Sequence, residues 1–212
     1  MSETDTRPPG PAEAPRERAA DRIRRTARDL FYRQGIRAVG VDEIAARSGV
    51  TKPSLYRSFA SKDELAAACL ADYEREFWQR FEDAVAGHCE PRAQLRAFFE
   101  RLAARATQPQ YRGCGLTNAA VEFPEHDHPG RLVAERHKRA LRARLHDMAV
   151  AMGAPAPAQL ADGLMLLIEG AYVSGQLFGE DGPARSVARV AEQLIEAALR
   201  KNPFPLGKGR SV

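Results

Sequence analysis

Residues 22–65 read RIRRTARDLFYRQGIRAVGVDEIAARSGVTKPSLYRSFASKDEL, and this stretch decides the fold. Its first part predicts a helix over residues 16–34, because apolar residues recur there at the i, i+4, i+7, i+8 spacing of one helix face. These residues are Ile23, Ala27, Leu30 and Phe31. Gly35 is suited to the position that follows the C-terminus of this helix.

Two short helices joined by a tight turn are predicted next. The first covers about residues 41–48, and Gly49 breaks the chain after it. Thr51 is a good N-cap for the second, and Pro53 falls in its first turn, where a missing N–H costs nothing. The second short helix ends near Phe59. A longer helix followed by two short ones is the helix-turn-helix arrangement, whose last helix enters the DNA major groove.

The second short helix carries side chains that suit contact with DNA. Thr51 and Ser54 offer small hydroxyl groups, and Lys52 and Arg57 offer positive charge. We expect Arg57 to read a base pair and Tyr56 to contact a phosphate with its hydroxyl. The alternative for Tyr56 is that its ring packs beneath the helix.

Positive charge is concentrated in the same part of the chain. Residues 16–65 carry 12 Lys and Arg against 7 Asp and Glu, a net charge of +5, whereas residues 66–212 carry 19 against 18. Lys62 begins the next helix, where free backbone N–H groups also favour a phosphate. The basic block indicates a polyanionic partner, although five excess charges could also serve only to keep the protein in solution.

Residues 22–65 resemble the DNA-binding domain of TetR-type bacterial transcriptional regulators. The resemblance rests on the helix ending in FYRQGI, on VDEIAARSGV and on the run TKPSLYRSFASKDEL. The last run alone places five residues at the spacing of the family: Leu55, Tyr56, Phe59, Lys62 and Leu65. Two positions depart from its pattern, because Gly40 stands where Ser or Thr is frequent and Ser58 stands where His or Tyr is frequent.

The resemblance implies a homodimer that binds a palindromic operator in double-stranded DNA, and it favours a repressor that a small-molecule effector releases. The two recognition helices of such a dimer should lie about 34–36 Å apart, or a multiple of that distance. The candidate DNA-contacting residues are Gly40, Thr51, Lys52, Pro53, Ser54, Tyr56, Arg57, Ser58 and Lys62. One alternative is a helix-turn-helix protein without small-molecule control, which organises DNA or is regulated by a partner. Another is an activator instead of a repressor.

The rest of the chain predicts further helices and no strand, so the expected fold is all-α. An N-terminal three-helix domain is joined by a long helix to a C-terminal helical bundle for effector binding and dimerisation. The further helices are expected at about 62–86, 91–107, 114–123, 130–152, 157–178 and 183–201. The predicted parts are a disordered tail (1–15), the DNA-binding domain (16–65), the effector-binding and dimerisation domain (66–201) and a second disordered tail (202–212).

The long fourth helix is predicted to belong to both parts. Ser61 is its N-cap, and Glu64 completes a capping box. An apolar residue stands at every fourth position: Leu65, Cys69, Tyr73, Phe77 and Phe81. Because four residues turn an α-helix by about 400°, this stripe drifts around the helix, so its start and end can pack on different bodies.

The last two predicted helices have the cleanest apolar patterns in the chain. Small residues on the first of them would let two helix backbones approach closely: Gly170, Ala171, Ser174 and Gly175. We expect both helices to form a four-helix bundle with those of a second subunit. Packing within one subunit is the alternative.

The C-terminal helices also carry candidates for an effector pocket. The aromatic and apolar ones are Phe77, Trp78, Phe81, Phe98, Phe99, Leu102, Phe123, Met165 and Tyr172. Cys114, Asn118 and Glu122 lie four residues apart on one face and could hold a ligand by hydrogen bonds, and His137 completes the set. The alternative is that these residues serve only in the core and that Glu122 faces solvent.

Other classes of function have little support in the sequence. It contains no Gly-rich phosphate loop, GxSxG or HExxH, so we predict that the protein is not an enzyme. Some residues have metal-ligand chemistry at a spacing that fits no dedicated motif, and we predict neither a metal nor a cofactor: Glu122, His126, Asp127, His128 and His137. Cys114 could be a redox switch, but no second cysteine lies near it in sequence.

Cysteine usage and hydropathy favour the cytoplasm. The cysteines are few and widely spaced without a CxxC pair: Cys69, Cys89 and Cys114. The longest strongly apolar run, Leu164–Ile168, is far shorter than the roughly 20 residues of a membrane span. The polar, Pro-rich N-terminus does not read as a secretory signal.

Overall fold

The computed structural model describes residues 17–200, and this part of the chain is helical without strands. Its helices are α1 (Ala19–Gln34), α2 (Val41–Ser48), α3 (Lys52–Ser58), α4 (Lys62–Val85), α5 (Pro91–Ala106), α6 (Gly115–Glu122), α7 (Pro129–Ala151), α8 (Pro157–Phe178) and α9 (Val187–Leu199). The predicted all-α class is confirmed. The two predicted tails, 1–15 and 202–212, lie outside the described residues.

Helix boundaries follow from the capping residues. Gly49 adopts a left-handed conformation with φ of 66° after α2, which is the reason for the tight turn. The hydroxyl of Thr51 accepts a hydrogen bond from the N–H of Ser54, at 3.3 Å. The last helix was predicted from residue 183, but α9 begins only at Val187, because the preceding turn is a 3-10 segment.

Helices α1–α3 form a small body with the start of α4, and we call α1–α3 the head. Its core consists of side chains with little or no exposure, which include Ile23, Leu30, Ile44, Leu55 and Leu65. At the start of α4 the hydroxyl of Ser61 accepts from the N–H of Glu64, and the Glu64 carboxylate accepts from the N–H of Ala60. The predicted cap therefore fixes the angle at which α4 leaves the head.

Helix α4 is shared between the head and the rest of the molecule, as predicted. Its five-residue apolar stripe is buried along its whole length, and the helix packs on α1 near its start and on α5 and α7 further along. Ion pairs also tie it to α1: Arg24 lies 2.9 Å from Asp72, and the guanidinium of Arg28 binds both carboxylate oxygens of Glu76.

A second connection joins the head to α6, and the sequence did not predict it. The hydroxyl of Tyr32 accepts from the N–H of Arg112 at 3.0 Å and donates to the carbonyl of Gly113 at 3.4 Å. The Glu122 carboxylate accepts from the N–H of Arg37 at 2.9 Å. We call these contacts the α1–α6 joint.

Within residues 17–200 no helix is both long and apolar enough to cross a membrane.

Candidate functional site

The outer face of α3 presents most of the residues that were predicted to contact DNA. Leu55 and Phe59 anchor the helix in the head. The opposite side is exposed and consists of Thr51, Lys52, Pro53, Tyr56 and Arg57. The Tyr56 side chain is 45% exposed, so its ring is not part of the core beneath the helix. One face of α3 is therefore exposed along the length of the helix and is mostly polar.

Two of these exposed side chains differ in their partners. Lys52 forms an ion pair with Asp42 at 2.9 Å, but both groups are exposed, so the pair is worth little and can open. Arg57 has no carboxylate within ion-pair distance among residues 17–200. Its guanidinium therefore remains available for a base edge.

The remaining candidates have structural roles in the DNA-free protein. The ammonium of Lys62 donates to the carbonyl of Val39 at 2.9 Å and to that of Arg37 at 3.4 Å, and so holds the α1–α2 loop. The hydroxyl of Ser58 donates to the carbonyl of Ser54 at 3.2 Å. Gly40 is the N-cap residue of α2 and has no side chain to cap it.

Gly40→Ser is expected to raise DNA affinity about 2- to 10-fold, irrespective of sequence, and to stabilise the protein by a few tenths of a kcal/mol. Nothing lies within 4 Å of a Cβ added at Gly40, and the backbone has N-cap geometry, so the hydroxyl can cap α2 and reach a phosphate. Fluorescence anisotropy and urea unfolding measure the two effects. Gly40→Ala supplies the Cβ without the hydroxyl, and equal affinities of the two variants would contradict the phosphate contact.

Helices α4, α5 and α8 line a half-open cavity of about 240 Å³, which we call the inner cavity. Five predicted effector residues line it: Phe77, Phe81, Phe98, Leu102 and Tyr172. The rings of Phe81 and Phe98 lie 4.9 Å apart, and that of Phe77 lies 6.3 Å from Phe98. Five of the nine predicted aromatic and apolar residues therefore border this space, and the effector role of all of them stays a prediction.

A larger cavity of about 350 Å³ lies where α1, α4 and α6 meet, and we call it the joint cavity. Two predicted residues, Asn118 and Glu122, line it, together with Tyr32 and Arg28 of the head. Asn118 donates to the carbonyl of Arg112 at 2.8 Å. Glu122 is partly buried in the α1–α6 joint and does not simply face solvent.

The other predicted effector residues do not line either cavity: Trp78, Phe99, Cys114, Phe123, His137 and Met165. Phe99 is fully buried in the core. The Phe123 ring stacks on His128 at 3.6 Å between centroids. Cys114 is buried, and its Sγ lies 3.7 Å from the ammonium of Lys138, a basic neighbour that the sequence did not indicate.

Two arginines that sequence reasoning missed, Arg80 and Arg105, line both cavities. Arg80 follows Tyr73 by seven residues and Phe77 by three, and therefore flanks the buried face of α4. Arg105 follows Phe98 by seven residues. The spacing from these buried aromatic residues could have indicated that both arginines face the cavities. An arginine at the edge of an apolar stripe is usually solvated, however, so the sequence did not distinguish them from surface arginines.

His137 is buried without a hydrogen-bond partner on either ring nitrogen within the described part of the chain. Its ring packs edge-on against Phe77 at 4.6 Å and against Trp78 at 5.7 Å. Burial lowers the pKa of His137 to about 3. The residue is therefore a neutral part of the aromatic core at physiological pH.

Replacing His137 by leucine should stabilise the protein, and more so in mild acid. The unfolded state binds a proton on His137 below pH 6.5, whereas the folded state does so only near pH 3, so folding loses stability as the pH falls through that window. The free energy of unfolding of the variant, relative to the wild type, should increase by about 2 kcal/mol between pH 7.5 and pH 5. Urea unfolding at the two pH values measures it. His146→Leu, on the same helix, is the control. A stability difference that does not change with pH would contradict the neutral state and would indicate that Glu74, whose Oε1 lies 3.8 Å from Nδ1, pairs with a protonated His137.

The residues with metal-ligand chemistry are separated in the structure. Glu122 lies in the α1–α6 joint, and the Nδ1 atom of His128 accepts from the N–H of Gly130 at 3.1 Å, which caps α7. His126 is exposed. Among residues 17–200 no three His, Cys, Asp or Glu side chains are grouped so that they could hold a metal ion.

Helices α8 and α9 carry an exposed apolar stripe. Its members are Leu166, Val173, Leu177 and Phe178 of α8 and Val190 of α9. Gly170 lies between them on α8 and is open, with nothing within 4 Å of an added Cβ. Ala171 and Gly175 instead face inward, and a Cβ at Gly175 would lie 2.5 Å from the carbonyl of Ala106. The small residues thus serve the subunit core as well as its surface.

Comparisons with known proteins agree with this architecture. Residues 23–69 match the family model of bacterial regulatory proteins of the tetR family, and residues 91–191 match that of a tetracyclin repressor-like C-terminal domain. The chain is 33% identical to the HTH-type transcriptional activator FasR of Mycolicibacterium smegmatis over 57% of its length, a match that spans about half (48%) of that protein. It is 28% identical to the HTH-type transcriptional regulator BetI of Paraburkholderia phytofirmans, over 78% of this chain and 85% of that protein.

Solved structures of TetR-family regulators resemble this chain over most of its length. A putative TetR transcriptional regulator from Streptomyces avermitilis is 30% identical with a TM-score of 0.79, over 86% of this chain and 98% of that one. A TetR-family regulator from Streptomyces coelicolor is 28% identical with a TM-score of 0.77, over 88% and 96%. Members of the family bind DNA operators and dimerise, and they are not enzymes. The chain belongs to the TetR family and is a DNA-binding transcriptional regulator.

Proposed function

We propose that this regulator is a homodimeric repressor that binds a palindromic operator and is released from it by a small-molecule effector. The observation that carries the proposal is α4, which begins in the head at Lys62 and reaches the inner cavity at Phe77 and Phe81. One rigid helix therefore joins the DNA-binding surface to a space that a ligand could fill. On this proposal the protein acts in the cytoplasm.

In the complex with DNA, α3 lies in the major groove. Arg57 reads a base edge, and Tyr56, Thr51 and Lys52 bind phosphates or neighbouring base edges. Lys62 and Ser58 keep their contacts within the head and position the loops beside the backbone. Residues 16–65 form the DNA-binding domain on this proposal, and residues 66–201 bind the effector and dimerise.

The second subunit packs against α8 and α9. Leu166, Val173 and Leu177 share one face of α8, and the open Gly170 between them lets the partner helix approach. Burial of an apolar stripe of this kind stabilises a four-helix interface.

Effector binding changes the distance between the two heads of the dimer. A ligand in the inner cavity displaces the middle of α4, and the α1–α6 joint transmits movement of α6 to the end of α1. The heads then no longer match successive major grooves. A coupling free energy of about 1–3 kcal/mol would change operator occupancy by roughly 5- to 150-fold.

Fluorescence anisotropy with DNA from upstream of the protein's own gene tests this function at several salt concentrations. We expect tight binding that survives added salt and that only a palindromic competitor displaces. The same complex then serves to screen for small molecules that release the DNA. Weak binding to any duplex with steep salt dependence would contradict a specific repressor.

A further inference from the structure

Arg105 is a partly buried cation without a carboxylate partner among the described residues. It lies in the last turn of α5, and its Nη2 donates to the hydroxyl of Tyr73 at 3.1 Å. Its guanidinium also lies 5.9 Å from the ring centroid of Tyr111. Within residues 17–200 no Asp or Glu oxygen lies within 4 Å of it. A cation that is partly withdrawn from water and has no ion-pair partner offers a site for an anion.

The neighbouring tyrosines do not supply that counter-charge. Burial raises the pKa of Tyr73 to about 12 and also raises the pKa of Tyr111, so both hydroxyls are protonated at neutral pH. The hydroxyl of Tyr111 is buried without a hydrogen-bond partner in the described chain. Close to Arg105 there is therefore a second polar group, the Tyr111 hydroxyl, whose hydrogen-bonding capacity is not used within the described chain.

Arg80 is only half satisfied. Its Nη1 lies 3.4 Å from Glu76, but the same carboxylate also binds the guanidinium of Arg28. The Nη2 of Arg80 is buried and has no partner in the described residues. Arg28 and Arg80 thus share the carboxylate of Glu76, and Arg105 beside them has no carboxylate of its own among the described residues.

Both arginines stand at the boundary between the inner cavity and the joint cavity, since each lines both. Both also lie near the same ring, since the guanidinium carbons of Arg80 and Arg105 are 5.8 Å and 6.0 Å from the centroid of Tyr73. The rest of the inner cavity is lined mostly by aromatic and aliphatic side chains, with Arg101 as a third arginine at its edge. Its volume of about 240 Å³ is below the range of sites for drug-sized ligands, which suits one ring with a short chain.

We propose that the effector of this regulator is an aryl carboxylate whose anionic group binds between Arg80 and Arg105 and whose ring enters the inner cavity. Arginine recognises carboxylates with paired, charge-assisted hydrogen bonds, and the ring gains edge-on contacts with Phe77 and Phe98. This inference rests on the proposed function, in which a small molecule occupies the C-terminal helices.

The proposal also gives the ligand a route to the head. A carboxylate that binds Arg80 competes with Glu76 for that guanidinium. Glu76 in turn holds Arg28 of α1, so its position affects the ion pair that ties α4 to the head. Occupancy of the anion site therefore alters a head contact directly.

Binding to the full-length protein tests the inference, with 3-phenylpropionate, 4-phenylbutyrate and 5-phenylvalerate as probes and the corresponding phenyl alcohols as neutral counterparts. Trp78 is the only tryptophan, and its ring lies 5.4 Å from Phe77, so its fluorescence reports on the inner cavity. We expect at least one carboxylate to bind with an affinity about tenfold or more above that of its alcohol. Arg105→Gln and Arg80→Gln should each remove that preference without changing the affinity of the alcohol.

Arg96→Gln is the matched control, because Arg96 is an exposed residue of α5 paired with Glu100 and should leave the preference unchanged. Arg105→Lys keeps the charge and should restore part of it, which excludes misfolding as the cause of the loss. The inference is overturned if no carboxylate binds better than its alcohol, or if Arg105→Gln weakens acid and alcohol alike.

Release of operator DNA separates this inference from the proposed function. If a carboxylate binds through Arg105 but releases no DNA, effector control by this site fails while the anion site stands. If only neutral compounds release DNA, the proposed function stands and the anion site is wrong.

Discussion

Replacing Leu166 and Leu177 together by aspartate is expected to yield a monomer that binds the operator about 100-fold or more weakly than the wild type. The two side chains are 73% and 71% exposed on the same face of α8, so the subunit itself does not need them. In a dimer, four carboxylates would have to lose water within an apolar contact. A monomer then presents one head and loses the gain of binding two half-sites at once.

Sedimentation velocity gives the oligomeric state, and anisotropy with half-site and full-site DNA separates lost dimerisation from a damaged head. Binding to the half-site should stay unchanged. Leu132→Asp on α7 is the control, since Leu132 is also half-exposed but lies away from the stripe. Gly170→Leu adds bulk without charge at the open position and should also weaken the dimer. A double variant that stays dimeric would show that the subunits meet elsewhere.

Arg57→Ala is expected to weaken operator binding by about 1–3 kcal/mol, roughly 5- to 150-fold, and to do so at one base pair. Arg57 is exposed on the outer face of α3 without a carboxylate partner in the described chain, so its donors are free for a base edge. Because it is not part of the head core, its removal should leave the stability of the protein unchanged.

The measurement is a set of operators that carry single base-pair changes. One of these base-pair changes should no longer reduce the affinity of the Arg57→Ala protein. The other changes should reduce its affinity as much as they reduce that of the wild type. Tyr56→Phe is the contrast, because loss of a phosphate contact should weaken all sequences alike and reduce the slope of affinity against salt. A uniform loss for Arg57→Ala would assign it to the phosphate backbone.

The head was predictable because its determinants are local. Thr51 and Ser61 cap helices through residues only three positions away, and Gly49 forms the turn with its own backbone. The buried stripe of α4 was likewise readable, since a single helix fixes which of its residues share a face. Helix boundaries in this region therefore agree with the sequence to within a few residues.

The polar part of the candidate site was not predictable in the same way. Contacts between Tyr32 and Gly113 and between Arg37 and Glu122 join residues about 80 positions apart, and no local spacing records them. Gly175 and Gly170 are equivalent in sequence reasoning, yet only the first is enclosed by Ala106 and Tyr111. Which face of a small-residue helix is buried depends on the neighbours that the tertiary fold supplies.

The α1–α6 joint has a consequence for engineering regulators with exchanged operator specificity. A chimera that joins a foreign head to this chain within α4 preserves the shared helix but replaces Arg37 and Tyr32. Glu122 contacts a backbone N–H, which any non-proline residue at position 37 provides, so that half of the joint transfers without change. The other half depends on a phenol at position 32. Donor heads with tyrosine at that position are therefore the compatible grafts. Heads without it should bind their operators but lose the coupling to the effector that we propose.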